Sequence, residues 1–204
     1  MSNLALGAQL DACPELPPFF IEFLLDETGS MGSCLPATKA GFNNFVESQR
    51  GAGQCYLTLA KFDSSGVKVP YENLDINMVP SLSFFPGSMT NLYDCIGTRL
   101  SAILSSPREG RTLFVIMTDG GDNASRTHTC SSARSLIEQA QNEGIVVVYL
   151  GPSSDALRVG SDLGIPEGNI KPFDTSNMEE VMTTVSAATT AFRAGATSDA
   201  NFFN

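Results

Sequence analysis

The sequence predicts an α/β fold: a doubly wound, mainly parallel sheet with one antiparallel edge strand and helices on both faces. Short apolar runs of strand length alternate along the chain with amphipathic segments of helix length. Two neighbouring strand segments are joined only by the turn Asp63-Ser-Ser-Gly66, which predicts an antiparallel hairpin. Right-handed crossovers between the remaining strands then place helices on both faces of the sheet.

Six segments have the character of strands, because they are short and are either almost entirely apolar or alternate in polarity. The first is interrupted only by Glu22 and is too short for a helix. The last has the length of an edge strand. The predicted strands are residues 19–25, 55–62, 67–71, 112–118, 145–150 and 170–173.

Five further segments are predicted to be helices, and in the first two the apolar residues have the spacing of an amphipathic helix. In the second of them, Leu92, Ile96, Leu100 and Ile103 share one face, and Asn91 is expected to cap the helix. The predicted helices are residues 33–49, 91–105, 131–142, 154–163 and 178–192.

The length of 204 residues suits a single domain, which we place at residues 19–192. Residues 1–18 form a lead-in that ends in the stiff sequence Pro-Glu-Leu-Pro-Pro. Residues 193–204 are expected to form a loose tail. Its two aromatic residues, Phe202 and Phe203, either dock on a neighbouring subunit or fold back onto the domain.

The composition excludes several classes of partner. Twelve Lys and Arg residues against 22 Asp and Glu residues give a net charge of −10, which disfavours binding to nucleic acid or to an anionic membrane. No apolar run reaches the length of a membrane helix, and the first ten residues lack the features of a secretory signal. Five scattered cysteines suggest free thiols. We therefore expect a cytoplasmic protein, with a virion component as the alternative.

Oxygen-bearing side chains collect at one predicted edge of the sheet. Asp26, Thr28 and Ser30 follow the first strand, Asp119 follows the fourth, and Thr90 lies just before a helix. Because the carboxyl ends of parallel strands meet at one edge, these five residues are expected to lie together. Two carboxylates and three hydroxyls, with no His or Cys, suit Mg²⁺, with Mn²⁺ or Ca²⁺ as alternatives, rather than Zn²⁺ or copper.

The pattern Asp26-x-Thr28-x-Ser30, then Thr90, then Asp119, resembles the metal-ion-dependent adhesion site of von Willebrand factor type A domains. The usual first motif is Asp-x-Ser-x-Ser, and Thr28 supplies the same hydroxyl as the first serine. Further stretches resemble the stand-alone bacterial and phage members of that family, and the likeness covers residues 19–192. These stretches are residues 23–31, 41–45, 89–97, 117–125 and 151–156.

The resemblance implies a Rossmann-like domain that binds protein and is not an enzyme. In the family the hydroxyls equivalent to Thr28 and Ser30 contact the ion directly, and the one equivalent to Thr90 does so in the high-affinity state. The aspartates equivalent to Asp26 and Asp119 act mostly through water. A Glu or Asp of a protein partner completes the coordination, and the module is expected to work within a larger complex.

Two other functions remain open from the sequence. Asp26-Glu-Thr-Gly-Ser30 is similar to the first motif of haloacid-dehalogenase-like phosphotransferases, in which Asp26 would be the covalent nucleophile. That class also needs a lysine that the sequence does not offer between Thr90 and Asp119. The other alternative is a structural component of an assembly or virus particle, in which a metal only holds the loops together.

Residues that border the predicted site are expected to have roles other than binding the ion. Asp94 and Asp122 are expected to form hydrogen bonds rather than to bind the ion. Glu27 is expected to point away from Asp26 and Thr28 as a charge on the rim. Phe84 and Phe85 are expected to pack under the loop that carries Thr90, the alternative being that one of them is exposed and contacts a partner.

Overall fold

The computed structural model describes residues 17–203, which contain a six-stranded sheet and five α-helices. The strands are β1 (Phe19–Asp26), β2 (Cys55–Asp63), β3 (Gly66–Asp75), β4 (Arg111–Met117), β5 (Val146–Pro152) and β6 (Ile170–Phe173). The helices are α1 (Leu35–Gln49), α2 (Leu92–Ser105), α3 (Cys130–Asn142), α4 (Ala156–Asp162) and α5 (Met178–Arg193). Short 3-10 turns cover Ser30–Cys34, Ile76–Met78 and Glu167–Asn169.

The strand order is β3-β2-β1-β4-β5-β6, and only the β2–β3 pair is antiparallel. This confirms the predicted doubly wound sheet with one antiparallel edge strand. The chain first moves outward from β1 to β2 and β3, and then returns to the other side of β1 with β4. The order therefore reverses between β1 and β4, and ligands of such sheets bind at the carboxyl ends of the strands beside that reversal.

Two apolar cores lie on opposite faces of the sheet. On one face α1 and α5 cover the central strands, and Phe23 of β1 meets Phe42 and Phe45 of α1 edge to face. On the other face α2, α3 and α4 pack against alternate residues of the same strands. Covering both faces explains why the central strands are almost entirely apolar.

The antiparallel edge strand is longer than the predicted segment 67–71. Two register shifts keep β3 paired with β2 as far as Asp75, and Asn73 takes a left-handed φ of 50° there. The backbone N–H of Asn73 donates to the Thr58 hydroxyl at 2.9 Å. Pro70 breaks the usual pattern of a strand, but an edge strand tolerates proline because one side of it has no partner strand.

The predicted capping role of Asn91 is wrong. Asn91 stands at the N-cap position, but its side chain makes no capping bond, and its buried Oδ1 has no hydrogen-bond partner in the described part of the chain. The first N–H groups of α2 instead donate to another loop. Tyr93 N–H donates to Asp122 Oδ1 at 3.3 Å, and Asp94 N–H donates to Ser125 Oγ at 3.0 Å.

The two aromatic residues of the predicted tail, Phe202 and Phe203, are anchored to the domain. Phe202 is fully buried against Phe192, with 5.7 Å between the ring centroids. Its backbone N–H donates to Asn169 Oδ1 at 3.0 Å, and the N–H of Phe203 donates to the carbonyl of Gly168 at 3.1 Å. Of the two predicted positions for these rings, the structure shows the one folded back onto the domain.

Most of the predicted lead-in lies outside the described residues. Within residues 17–203, no helix is both long enough and apolar enough to cross a membrane. The four cysteines in this part of the chain are free thiols, and Cys34, Cys55 and Cys95 are buried.

Candidate metal centre

The five predicted site residues lie on three loops at the carboxyl edge of the sheet. Asp26 is the last residue of β1, Asp119 lies two residues after β4, and Thr90 lies two residues before α2. Parallel pairing puts Leu25 of β1 opposite Met117 of β4, so the two loops that follow these strands begin side by side. This juxtaposition follows directly from the reversal of strand order.

Three of the five residues form one hydrogen-bonded chain. The hydroxyls of Thr28 and Ser30 are 3.1 Å apart, and the Ser30 hydroxyl donates to Asp119 Oδ1 at 2.7 Å. Thr28 is buried, Ser30 is exposed, and Asp119 is half-buried. The oxygen atoms therefore run from the interior to the surface, where a solute can reach them.

Asp26 is fully buried beneath this chain, and both of its carboxylate oxygens are occupied. Oδ1 accepts the backbone N–H of Thr28 at 2.8 Å, and Oδ2 accepts the hydroxyl of Thr118 at 2.6 Å. These two hydrogen bonds fix the Asp26 carboxylate at the end of β1. The sequence did not point to Thr118, because a threonine at the end of a strand carries no distinguishing signal.

Thr90 is buried beside the turn that follows Asp119. Its N–H donates to Asn123 Oδ1 at 2.8 Å, and its carbonyl accepts the N–H groups of Asn123 and Ala124, each at 2.9 Å. Its Oγ1 stands 3.9 Å from where a Cβ on Gly120 would lie. Within the described chain, no hydrogen bond joins this hydroxyl to those of Thr28 and Ser30 or to Asp119. Thr90 therefore borders the cluster without belonging to it.

Burial raises the pKa of both carboxyl groups at the site above the ordinary value of 3.8. For Asp26, hydrogen bonds from Thr118 and Thr28 oppose the rise, and the nearby Asp119 carboxylate adds to it. For Asp119, the hydrogen bond from Ser30 opposes it. Ionising both groups is therefore costly in the protein alone, and a bound cation would offset that cost.

The donor set fits a hard divalent cation. Oxygen ligands about 2.1 Å from an octahedral Mg²⁺ lie about 3 Å from their neighbours. The separation of 3.1 Å between the Thr28 and Ser30 hydroxyls is close to that value, and Asp119 lies one hydrogen bond beyond Ser30. Residues 17–203 contain no cluster of three or more His, Cys, Asp or Glu side chains suited to a metal. A metal at this site would therefore depend on the hydroxyls.

Glu27 is not the rim charge that the sequence predicts. It is only 3% exposed, and its Oε1 accepts from Lys61 Nζ at 2.6 Å and from the N–H of Phe85 at 2.8 Å. Lys61 Nζ also donates to the carbonyl of Ser83 at 3.0 Å. The loop of residues 83–90 folds over Glu27 and buries it, and the sequence pattern did not predict this contact.

The predicted hydrogen bonds of the neighbouring acids are confirmed. Asp94 accepts the backbone N–H groups of Arg126, Thr127 and His128 at 2.7–2.9 Å, and Asp122 accepts the N–H of Tyr93. These two carboxylates tie the loop after Asp119 to the start of α2. They therefore help to set the position of Thr90 relative to Asp119.

A cleft of about 380 Å³ opens beside Asp119, away from the 83–90 loop. Its walls come mainly from the ends of β5 and β6 and the loops that follow them, and they combine hydroxyl and carboxylate groups with the apolar surface of Cys34, Pro152 and Phe173. The polar lining residues are Ser33, Asp119, Ser153, Ser154, Asp174 and Thr175.

No protein-family model and no curated protein sequence matches the chain. Solved structures do match it. The vWF domain of the type V pili tip protein Mfa5 from Porphyromonas gingivalis has a TM-score of 0.65 at 10% identity, over 89% of this chain and 97% of that one. The pilus adhesin SpaC from Lactobacillus rhamnosus GG has a TM-score of 0.68 at 14% identity, over 83% of this chain but only 30% of SpaC.

A third match is the manganese-loaded TRAP protein of Plasmodium vivax, with a TM-score of 0.58 at 15% identity over 81% of this chain and 72% of that one. At identities this low the matches establish the fold and nothing finer. They agree with the observed strand order, with the antiparallel edge strand and with helices on both faces of the sheet. The chain therefore has the fold of a von Willebrand factor type A domain.

Proposed function

We propose that the protein is a metal-ion-dependent protein-binding module rather than an enzyme. The observation that carries this proposal is the chain of oxygen atoms through Thr28, Ser30 and Asp119 at the carboxyl edge of the sheet. Thr28 and Ser30 would bind Mg²⁺, or Mn²⁺ or Ca²⁺, directly, and Asp26 and Asp119 would act through water. Thr90 would join them when a partner is bound.

Bound there, the cation would supply a Lewis-acidic position that attracts a carboxylate. Two ionised carboxylates neutralise the two positive charges of a divalent cation, and the neutral hydroxyls add no further negative charge. A Glu or Asp of a protein partner can then approach a site that would repel it without the metal. The match to a manganese-loaded protein and to pilus proteins of the same fold supports this reading.

The buried position of Asp26 disfavours the phosphotransferase alternative. A nucleophilic aspartate needs a free oxygen that faces the substrate. Both oxygens of Asp26 are held by Thr28 and Thr118, and the side chain is fully buried. We therefore assign Asp26 to organising the site.

A role within a larger assembly, and a cytoplasmic location, remain predictions.

Isothermal titration calorimetry of the full chain with MgCl₂ tests the metal site. Wild-type protein should bind one ion, Ser30→Ala should weaken binding at least about tenfold, and Asp26→Ala should abolish it. Ser135→Ala, on the exposed face of α3, is the matched control and should bind as wild type. Absence of magnesium binding, or unchanged binding in both site variants, would reject the assignment.

Capture of a partner separates the binding role from a purely structural one. A pull-down from the source organism should lose its specific partner when a chelator is added. Thr90→Ala should weaken capture more than it weakens magnesium binding. A partner that remains bound both in chelator and to Ser30→Ala would show instead that the metal only stabilises the loops.

A further inference from the structure

One side of the candidate metal centre is bordered by exposed apolar side chains. Phe85 is 73% exposed and Met89 is 51% exposed, whereas the adjacent Phe84 is buried in the core. Pro86 between them is also exposed. We call Phe85, Pro86 and Met89 the apolar rim.

The apolar rim directly adjoins the loop that carries Ser30. The N–H of Gly29 lies 3.5 Å from the carbonyl of Ser88, and a Cβ on Gly32 would stand 4.0 Å from Pro86 Cγ. The apolar rim and the Ser30 hydroxyl therefore lie on two loops that contact each other.

The loop that exposes Phe85 is anchored to the domain by buried polar contacts. The buried Glu27 carboxylate accepts the N–H of Phe85, and Lys61 binds both that carboxylate and the carbonyl of Ser83. Gly87 adds a close fit, because a Cβ there would collide with the side chain of Asp63. The backbone under the ring is thus ordered before any partner arrives, which lowers the entropic cost of using the ring as a contact.

The other side of the centre is the cleft beside Asp119. Ser153, Ser154, Asp174 and Thr175 line it together with the apolar surface of Cys34, Pro152 and Phe173. A ligand at the centre would therefore lie between the apolar rim and a cleft of mixed polarity.

We propose that the apolar rim and the metal centre form one composite docking surface, whose occupant is a protein segment with an apolar side chain next to its metal-binding Glu or Asp. The inference rests on the proposed function and adds the chemistry of the partner. A protein segment is the occupant because it supplies an acid and an apolar group at a fixed spacing. The net charge of −10 disfavours nucleic acid and anionic lipid.

Selection from a random peptide library displayed on phage tests the proposal without knowledge of the natural partner. The full chain is immobilised in MgCl₂, and bound phage are released with a chelator. The released peptides should be enriched in Asp or Glu with an aromatic or aliphatic residue within two positions. Enrichment of acids without apolar neighbours would overturn the inference while leaving the proposed function intact.

Two exposed variants then test the rim with a selected peptide. Phe85→Ser should weaken peptide binding at least about tenfold, whereas Phe85→Leu should retain most of the wild-type affinity. Met78→Ser is the matched control, because Met78 is 70% exposed and lies at the opposite end of the sheet from the metal centre. It follows the end of β3, which pairs with the start of β2. Peptide binding by Phe85→Ser at wild-type affinity would contradict the inference.

Magnesium titration of the same variants distinguishes failure of the proposed function from failure of the inference about the apolar rim. Phe85→Ser should bind Mg²⁺ as wild type does, because the ring is not a ligand. If the wild-type chain binds no Mg²⁺ and no phage are released by chelator, the proposed function itself fails and the inference fails with it. If Mg²⁺ binding and chelator release are both present, only the composition of the peptides and the effect of Phe85→Ser decide the inference.

Discussion

At the scale of single residues, the hydroxyl of Thr118 has an effect that its position in the sequence does not suggest. It is the donor that holds Oδ2 of the buried Asp26, and no other described side chain donates to that oxygen. Removing the donor leaves a buried carboxylate oxygen without a partner, which costs more free energy than an ordinary hydrogen bond contributes.

Thr118→Val keeps the shape of the side chain and removes the donor. In metal-free protein it should lower the free energy of unfolding by about 1–3 kcal/mol, as measured by urea denaturation in the presence of a chelator. Thr98→Val on the exposed side of α2 is the control and should change little. Equal stability of Thr118→Val and wild type would show that Asp26 does not depend on this bond.

Asp94 provides a pH-dependent prediction. Burial by itself would raise the pKa of Asp94, but N–H bonds from Arg126, His128 and Thr127 outweigh burial and lower the pKa below 3.8. A carboxyl group whose pKa is lower in the folded chain stabilises the fold above its unfolded pKa. That contribution is lost as the pH falls through the folded pKa.

Asp94→Asn should therefore reduce the free energy of unfolding by about 1–2 kcal/mol at neutral pH. The difference from wild type should shrink as the pH is lowered below 3.8, where the wild-type carboxyl is progressively protonated. Urea titrations across this pH range measure the effect. A difference that stays constant with pH would mean that charge plays no part in it.

At the scale of elements, the ion pair between Glu27 and Lys61 joins the end of β1 and strand β2 to the 83–90 loop. The pair is almost fully buried, and its Nζ–Oε1 distance is 2.6 Å. Removing one partner of a buried ion pair leaves an uncompensated charge, whereas removing both charges is often tolerated. The loop should therefore respond very differently to single and to double substitution.

Lys61→Met should lower the free energy of unfolding by about 3–5 kcal/mol. The double variant Glu27→Gln/Lys61→Met should recover part of that loss, because the neutral amide oxygen introduced by Glu27→Gln can still accept the N–H of Phe85. A double-mutant cycle from urea unfolding measures the coupling. Additive effects of the two substitutions would show that the pair does not act as a unit.

At the scale of the whole molecule, the described end of the chain belongs to the packed domain. Phe202 is buried against Phe192 of α5, which in turn meets Phe19 of β1 with 6.0 Å between ring centroids. Arg111 of β4 lies over the Phe192 ring at 3.8 Å. The three aromatic rings thus connect the last residues to the first strand.

Phe202→Ala should lower the free energy of unfolding by about 3 kcal/mol, because it opens a cavity in this aromatic cluster. Thermal unfolding followed by circular dichroism measures the change. Phe85→Ala removes an exposed ring and serves as the comparison, with little expected effect. If both variants melt at the wild-type temperature, the packing of Phe202 contributes nothing to stability.

Much of the fold was predictable because its signals are local. The apolar runs of β1, β4 and β5 and the amphipathic spacing in α2 depend on residues close together in the chain. Their order is enough to place Asp26 and Asp119 at the same edge of the sheet. Strand β3 was underestimated because its pairing with β2 continues through two register shifts that no local pattern reveals.

By itself, the sequence determined the order of strands and helices, the doubly wound sheet and the set of oxygen donors at its carboxyl edge. Only the tertiary structure decided that Glu27 is buried, that Thr118 holds Asp26, that Phe85 faces solvent while Phe84 does not, and that Phe202 packs against α5. The physical reason is distance along the chain. Glu27 and Lys61 are 34 residues apart, and Asp26 and Thr118 are 92 residues apart, so packing of the whole domain sets these contacts.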